Sequence, residues 1–297
     1  METKKAEIQV SVVTPTYNRA NEIKTLYQSL CNQTDQNFVW WIIDDGSDDE
    51  TPAVLQDWSE ANQTFCLKKT IRQHGGKHRA LNWVAGHLTG DLVIVVDSDD
   101  WLLPTAIATI KEQWERFGCN PRVQSMVFER GKTAHRALSP ISNQPFVSQR
   151  FHYTSRNKMY GDFSDVFTVY AFQTCLLPEF ADENFLTEGL MYLAFSKRYL
   201  SAFIPQILIV GDYRSDGLSN RMRKLQLANP RGTLAENVAY LVEPVPLLFK
   251  LKKSLLVGII CHHTMGWQQV KKGRRWLIIM AIPSLFAYAY LRIRGRV

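Results

Sequence analysis

The chain has 297 residues, 45% of them hydrophobic and 21% charged, a balance that supports one large or two ordinary folded domains and excludes an intrinsically disordered chain. The net charge of +7 is uneven: residues 244–297 hold ten Lys/Arg and no Asp or Glu, so the preceding 243 residues carry a net −3. The basic tail is interleaved with long aliphatic runs and carries no recognition motif, which excludes nucleic acid as the partner.

In chain order, Ile8 to Val13 is short, β-branched and followed by the turn sequence TPTYN, and predicts a buried strand. Residues 21–30 place Ile23, Leu26, Tyr27 and Leu30 at helical spacing. Phe38 to Ile43 (FVWWII) predicts a second strand, closed by DDGSDD; Thr51 to Trp58 is helical, and Phe65 to Ile71 is a weaker strand. Lys77 to Leu88 sets Ala80, Leu81, Val84, Ala85 and Leu88 on one helical face. Leu92 to Val96 is a third apolar strand, Thr105 to Phe117 a helix, and Val123 to Phe128 another strand. This alternation predicts right-handed βαβ units and a mostly parallel sheet covered on both faces over roughly the first 130 residues. Beyond it, Glu129 to Phe180 offers only short strand-like pieces such as Val166 to Ala171; Glu188 to Tyr199 is helical, and Ile204 to Val210 is a strand ending in GDYRSDGLSN, where Asp216-Gly217 marks a turn.

The five cysteines, Cys31, Cys66, Cys119, Cys175 and Cys261, are odd in number and form no CxxC pair, which points to a reducing compartment and away from a disulfide or zinc scaffold. The start, METKKAEIQVSVV, shows no secretory h-region, so the expected location is the cytoplasm.

Ligands of an open α/β sheet bind outside the carboxyl ends of its strands. TPTYN, DDGSDDE and DSDDW each follow an apolar strand directly, so they are expected to converge on one edge. In DSDD, Asp97 and Asp99 stand at i and i+2, the same side of an extended chain, and carboxylates are hard donors suited to Mg²⁺ or Mn²⁺ with substrate phosphates completing the shell. The plain alternative is a solvated acidic turn. IIDDGSDDE lacks the ligand pattern of an EF-hand and reads as a turn and N-cap before Thr51. RQHGGKHRALN joins Gly75-Gly76 to Arg72, Lys77 and Arg79 ahead of a helix, a phosphate-friendly setting. Zinc on His74 and His78, or on the His pair of CHH at 261–263, is the weaker reading, because the two glycines interrupt helical spacing in the first case and the second lies in the basic tail.

Four segments in order, SVVTPTYNR, WWIIDDGSDDET, GGKHRALNWVAGHLTGDLVIVVDSDD and a later SDGLS, resemble the family 2 glycosyltransferases, and among them bacterial enzymes that build capsular or exopolysaccharide repeat units. The resemblance is dense over residues 8–103 and loose over 180–220. It implies a GT-A, Rossmann-like α/β fold: a mostly parallel sheet flanked by helices, with the basic, apolar C-terminal region as a helical extension. The implied division is a catalytic domain at 1–220 (nucleotide-sugar half about 1–128, acceptor half about 129–220) and a membrane-associating region at 221–297.

The resemblance also implies roles. Thr14, Pro15 and Tyr17 line the nucleotide base and Asp45 hydrogen-bonds it; Lys77, Ala80 and Asn82 lie near base and ribose; Ser98 sits within the DxD, whose Asp97 and Asp99 hold Mn²⁺ or Mg²⁺, Asp99 foremost. Glu188, in FLTEGLMYL, matches the catalytic base, with Asp182 and Glu183 as substitutes because Gly189 stands where the family's Glu-Asp pair has its second acid. The QxxRW motif of processive synthases is missing, so single-sugar transfer is implied. The implied reaction is an inverting displacement from a nucleotide sugar, UDP by default, onto a lipid-linked acceptor on an isoprenoid diphosphate. Two rivals are a haloacid-dehalogenase-like phosphatase using the DxD and a non-enzymatic basic membrane-surface protein. The tail (Leu247 to Ile260 and Trp276 to Leu291 with flanking cations) is expected to lie against the anionic inner face of the cell membrane, since the 16-residue second run is shorter than the ~20 residues a crossing needs.

Overall fold

The alternation expected of the first half is realised as β1 (Val10–Thr16), α1 (Glu22–Cys31), β2 (Phe38–Asp44), α2 (Thr51–Glu60), β3 (Cys66–Ile71), α3 (Lys77–Ala85), β4 (Leu92–Val95), a two-residue β5 (Trp101–Leu102), α4 (Ala106–Phe117) and β6 (Val123–Thr133). There follow β7 (Arg136–Ala137), β8 (Phe146–Ser148), α5 (Arg150–Arg156), β9 (Phe163–Thr168), α6 (Val169–Thr174), α7 (Gly189–Arg198) and β10 (Leu200–Val210). The chain then turns wholly helical, with α8 (Leu218–Ala228), α9 (Pro230–Leu241), α10 (Leu247–Thr264) and α11 (Arg274–Ile293). The computed structural model describes residues 7–60, 64–157, 159, 162–211, 218–264 and 274–293. The SDGLS turn at Asp216-Gly217 lies outside them.

Among the described residues ten strands form one sheet, ordered β3-β2-β1-β4-β9-β6-β10-β5, with β7 on β6 and β8 on β10. β3, β2, β1 and β4 are all parallel. The order reverses between β1 and β4, the crevice where α/β sheets bind ligands. The expected parallel run is broken by β9, antiparallel to both β4 and β6, before parallel pairing resumes between β6 and β10. The strand-like reading of Val166 to Ala171 holds only as far as Thr168. There the Thr168 hydroxyl accepts from Ala171 N at 3.1 Å and caps α6, so the last three residues turn helical.

The chain forms two compact units. The first comprises Met1–Arg150, Tyr160–Leu176 and Ala194–Asp212 and holds the sheet. Its core is the apolar strand runs packed on helix faces: Val10, Val12, Trp40, Ile42 and Ile94 against Ile23, Leu26, Leu55 and Ile110, all fully buried. α3 buries Ala80, Leu81, Val84 and Ala85, the face its spacing predicts. The indole of Trp40, fully buried, donates to Thr14 Oγ1 at 3.0 Å and so leaves no polar atom unsatisfied.

The second unit comprises Phe151–Met159, Leu177–Leu193 and Tyr213–Val297. Its α9 and α10 bury Leu234, Leu241, Val257 and Ile260, and α11 adds Trp276, Ala287, Tyr288 and Leu291 to that cluster. The opposite stripe of α11 is left outside: Ile278 and Ile282 are each 68% exposed, Phe286 71% and Ile293 85%. No helix among the described residues is long and apolar enough to cross a membrane.

Candidate active site

The loops after β1, β2, β3 and β4 all belong to the first unit and leave the same, carboxyl end of four parallel strands. Those after β1 and β2 are laced together. Asn18, in the left-handed region at φ 52°, donates its N–H to Ser47 Oγ at 2.8 Å and its amide to Asp48 Oδ1 at 2.7 Å, and its side-chain oxygen accepts from Asp48 N at 3.0 Å. Asp49 accepts from Thr51 N at 2.8 Å, the turn-and-cap role read from the sequence.

Asp45 ties β2 to the glycine loop. Its two oxygens accept from Gly75 N at 3.0 Å and Gly76 N at 2.7 Å, and His74 Nδ1 lies 2.9 Å from Oδ2. Here a cavity of about 250 Å³ opens, lined by Asp45, Arg72, Gln73, His74, Gly75 and Arg79. Tyr17 sets its ring centre 4.3 Å from that of His74, one of the lining residues. Of the residues expected around the base, Asp45 therefore lines this cavity and Tyr17 packs on one of its walls. Thr14 and Pro15 are buried, with the Thr14 hydroxyl turned to Trp40 in the core. Ala80 is buried, and Asn82 is half-buried on α3. His74 is on Asp45 and His78 is buried in α3; neither belongs to a zinc cluster, for among the described residues no group of three or more His, Cys, Asp or Glu is arranged to hold a metal.

The acidic turn after β4 is resolved charge by charge. It is not extended: Asp100 N donates to Asp97 O at 3.0 Å and closes a turn, so the two-residue alternation stops at Val96. Lys77, the first residue of α3, places Nζ 2.7 Å from Asp97 Oδ1. Burial works to raise the Asp97 carboxyl, but the charge and hydrogen bond of Lys77 outweigh it, with help from Arg130, and hold it below the usual carboxylate range. Asp100 is buried and lies 2.5 Å from Arg130 Nη2, within β6. Burial first, then the neighbouring carboxylates of Asp97 and Asp99, push Asp100 up to about 8 against the pull of that guanidinium. At the end of β10, Gly211 packs so closely on this pair that a Cβ there would run into Asp100 Oδ1 and Arg130 Nη2. Asp99 is left over: half-buried, it makes no hydrogen bond or ion pair among the described residues. Ser98 between them is buried. Two hard carboxylates at a partly open turn, one with no internal partner, fit a divalent cation that takes its remaining ligands from a substrate.

Arg130 and Gly211 were not singled out by the sequence. For Gly211 the signal was present, since it immediately follows the apolar run of β10 as the named loops follow theirs; Arg130, inside β6 and preceded by Glu129, carries no such signal.

In the second unit, Glu188 is the residue from which α7 starts: its carbonyl accepts from Tyr192 N at 3.0 Å. Its two substitutes are placed differently. Glu183 is buried, and its oxygens accept from Arg231 N at 2.7 Å and Gly232 N at 2.8 Å, the free amides at the start of α9. Asp182 is 95% exposed, in a left-handed turn at φ 62°.

Comparison with known proteins bears on the family and the fold. Over 94 residues the chain is 33% identical to the undecaprenyl-phosphate 4-deoxy-4-formamido-L-arabinose transferase of Sodalis glossinidius (strain morsitans), covering 31% of this chain and 29% of that one. Over 108 residues it is 30% identical to the enzyme of the same name from Klebsiella pneumoniae (strain 342), covering 35% and 33%. The matched stretch thus spans about a third of the length of these relatives. Among solved structures, S. aureus TarS 1–349 in complex with UDP-GlcNAc superposes with a TM-score of 0.58 at 16% identity, over 88% of this chain and 73% of that one. The mannosyltransferase PcManGT from Pyrobaculum calidifontis, in complex with GDP-Man and Mn²⁺, gives 0.56 at 16%, over 97% and 83%. At such identities the likeness is one of fold, and the fold is GT-A. Residues 11–174, more than half of the chain, match the family described as glycosyl transferase family 2. That match sets aside both the phosphatase and the non-enzymatic readings: the chain belongs to glycosyl transferase family 2 and is a glycosyltransferase.

Proposed function

We propose that the protein is an inverting, metal-dependent glycosyltransferase that moves one sugar from a nucleotide sugar, UDP-linked, to a hydroxyl of a lipid-linked saccharide during synthesis of a bacterial surface polysaccharide. The observation that carries the reading is the acidic turn, in which Asp97 and Asp100 have their own cations and Asp99 has none. Asp97 and Asp99 would hold Mn²⁺ or Mg²⁺, which when bound supplies electrostatic stabilisation to a departing diphosphate. Lys77 adds a fixed positive charge beside that position, and the cavity between Asp45 and Arg79 takes the nucleotide. Glu188 accepts the proton of the acceptor hydroxyl as its oxygen attacks the anomeric carbon, a contribution of roughly 10²–10⁴-fold.

Residues 1–220 serve as the catalytic region and 221–297 hold it to the anionic inner face of the cell membrane, from the cytoplasm. The exposed apolar stripe of α11 supports this, because a 20-residue amphipathic helix with Arg292 in its last turn suits an interface rather than a crossing. The two relatives named for undecaprenyl phosphate favour a second reading in which the acceptor is the lipid phosphate itself. A phosphate oxygen is already ionised, so that reaction needs no general base.

The test is a panel of nucleotide sugars scored for thermal stabilisation and slow hydrolysis, with and without Mn²⁺ or Mg²⁺. One UDP-sugar should stabilise the protein only with the metal. No response to any nucleotide sugar in the presence of metal would overturn the reading.

A further inference from the structure

We propose that Glu236, on α9, is a positioning residue for Glu188: one buried carboxylate grips the chain on both sides of the base and sets the corner where α7 begins. The inference rests on the reading of Glu188 as the base.

On one side, Glu236 Oε2 accepts from the hydroxyl of Thr187 at 2.6 Å. On the other, the backbone of Gly189 lies directly on the pair formed by Glu236 Oε1 and the Tyr240 hydroxyl, which are 2.7 Å apart. A Cβ at 189 would fall inside contact distance of both. Thus the position after Glu188 is closed to any side chain, and a carboxylate from α9 occupies the volume a side chain would take. Tyr240, one helical turn on from Glu236, is held in turn by the Lys253 ammonium, 4.8 Å from its ring centre and 5.3 Å from that of Phe249. Burial acts to lower the pKa of that lysine, and the charge of Glu236 opposes the shift.

An apolar contact would pin a helix end without the desolvation cost of a buried carboxylate. Here the carboxylate is buried, one oxygen accepting from the residue before the acid and the other, bonded to the Tyr240 hydroxyl, occupying the space beside the backbone of the residue after it. A hydrogen bond fixes direction as well as distance, and the direction in which the first residue of a helix projects follows from its backbone. Misplacement of a reacting group by about 1 Å can cost on the order of 10²-fold in rate.

The experiment compares Glu236→Ala, Glu236→Gln, Thr187→Val and Glu188→Gln in the full chain, reading kcat and the donor KM separately together with thermal stability. Gln should substitute for Glu236, because the hydroxyls of Thr187 and Tyr240 can each accept as well as donate. The expected result is a kcat lowered about 10–100-fold in Glu236→Ala and severalfold in Thr187→Val, a donor KM within about twofold, and kcat restored to within about threefold in Glu236→Gln. Parental kcat in Glu236→Ala, or a loss of kcat matched by equal losses of donor affinity and folded protein in both Glu236→Ala and Thr187→Val, would overturn the proposal. Near-parental turnover in Glu188→Gln would overturn it too, by removing the base on which it rests. A dead Glu188→Gln with a fully active Glu236→Ala refutes the positioning role alone.

Discussion

Glu183 and Glu188 lie five residues apart; the structure gives the first a capping role, and the proposed function gives the second the role of base, so exchanging each should produce opposite signatures. Glu183 accepts two hydrogen bonds from the first amides of α9, at 2.7 and 2.8 Å, from a side chain only 5% exposed. A hydrogen bond to a charged group contributes about 1.5–3 kcal/mol net, and a helix cap about 0.5–2 kcal/mol. Two such bonds at one cap, taken at the low end because Arg231 is partly solvated, make Glu183→Ala cost about 2–4 kcal/mol. At about 2–4 °C per kcal/mol for a chain of this class, Tm falls by about 5–15 °C. Glu183→Gln keeps one accepting oxygen and turns an amide toward the other N–H, so it should lose about half as much. Glu188→Gln should leave Tm within about 1 °C and lower turnover by at least about 10²-fold. Thermal unfolding followed by circular dichroism, beside a sugar-transfer assay at a temperature where every variant is folded, separates the two. A Glu183→Ala protein of unchanged Tm that has lost turnover would transfer the chemistry to Glu183 and refute the assignment.

Asp99→Ala should keep the parental Tm yet lose the stabilisation that donor and Mn²⁺ give together; a metal-dependent shift equal to that of the parent would refute the DxD assignment. Arg130→Met leaves Asp100, a carboxyl already raised to about 8, without its buried partner and should lower stability at neutral pH by about 1–3 kcal/mol, read as a urea midpoint, with part of the loss recovered in the Asp100→Leu/Arg130→Met double variant. The full chain should float with anionic liposomes at low salt, and a triple Ile278→Ser/Ile282→Ser/Phe286→Ser variant of the exposed α11 stripe should not; equal flotation of the two would remove that stripe from any membrane role.

The parts of the fold that could be read from the sequence are those specified locally. FVWWII and LVIVV have no plausible fate but a buried strand, and the apolar spacing of Lys77 to Ala85 sets one helix face, so the β1–β4 half and its loops follow from composition and period alone. What was not legible depends on partners far along the chain. β9 is antiparallel because of what lies on either side of it in the sheet, and nothing within FSDVFT states that. The site divides in the same way. The DSDD turn announces itself, whereas Arg130, thirty positions later, acquires its meaning only from the pairing of β6 with β10. The reading that DSDD stays extended failed for a local reason: with Asp100 drawn inward to Arg130, the chain must turn, and its amide closes on Asp97.

The charge count of that turn explains why metal and donor should bind as one. Two unit charges about 6 Å apart at an effective dielectric constant near 20 repel by about 3 kcal/mol, so three ionised carboxylates in four residues would repel strongly. The fold answers with two cations from separate elements, Lys77 from the start of α3 and Arg130 from within β6, and with a proton: Asp100, raised to about 8, is largely protonated at neutral pH. Asp97, held below the usual carboxylate range beside Lys77, stays ionised, and Asp99 is the carboxylate that makes no hydrogen bond or ion pair among the described residues. On the proposed function, a divalent cation on Asp97 and Asp99 would give the turn the positive sign that a diphosphate requires, and the phosphate oxygens would complete a coordination shell that two side chains cannot fill. Metal and donor would then each strengthen the site of the other, and donor recognition would be conditional on the metal.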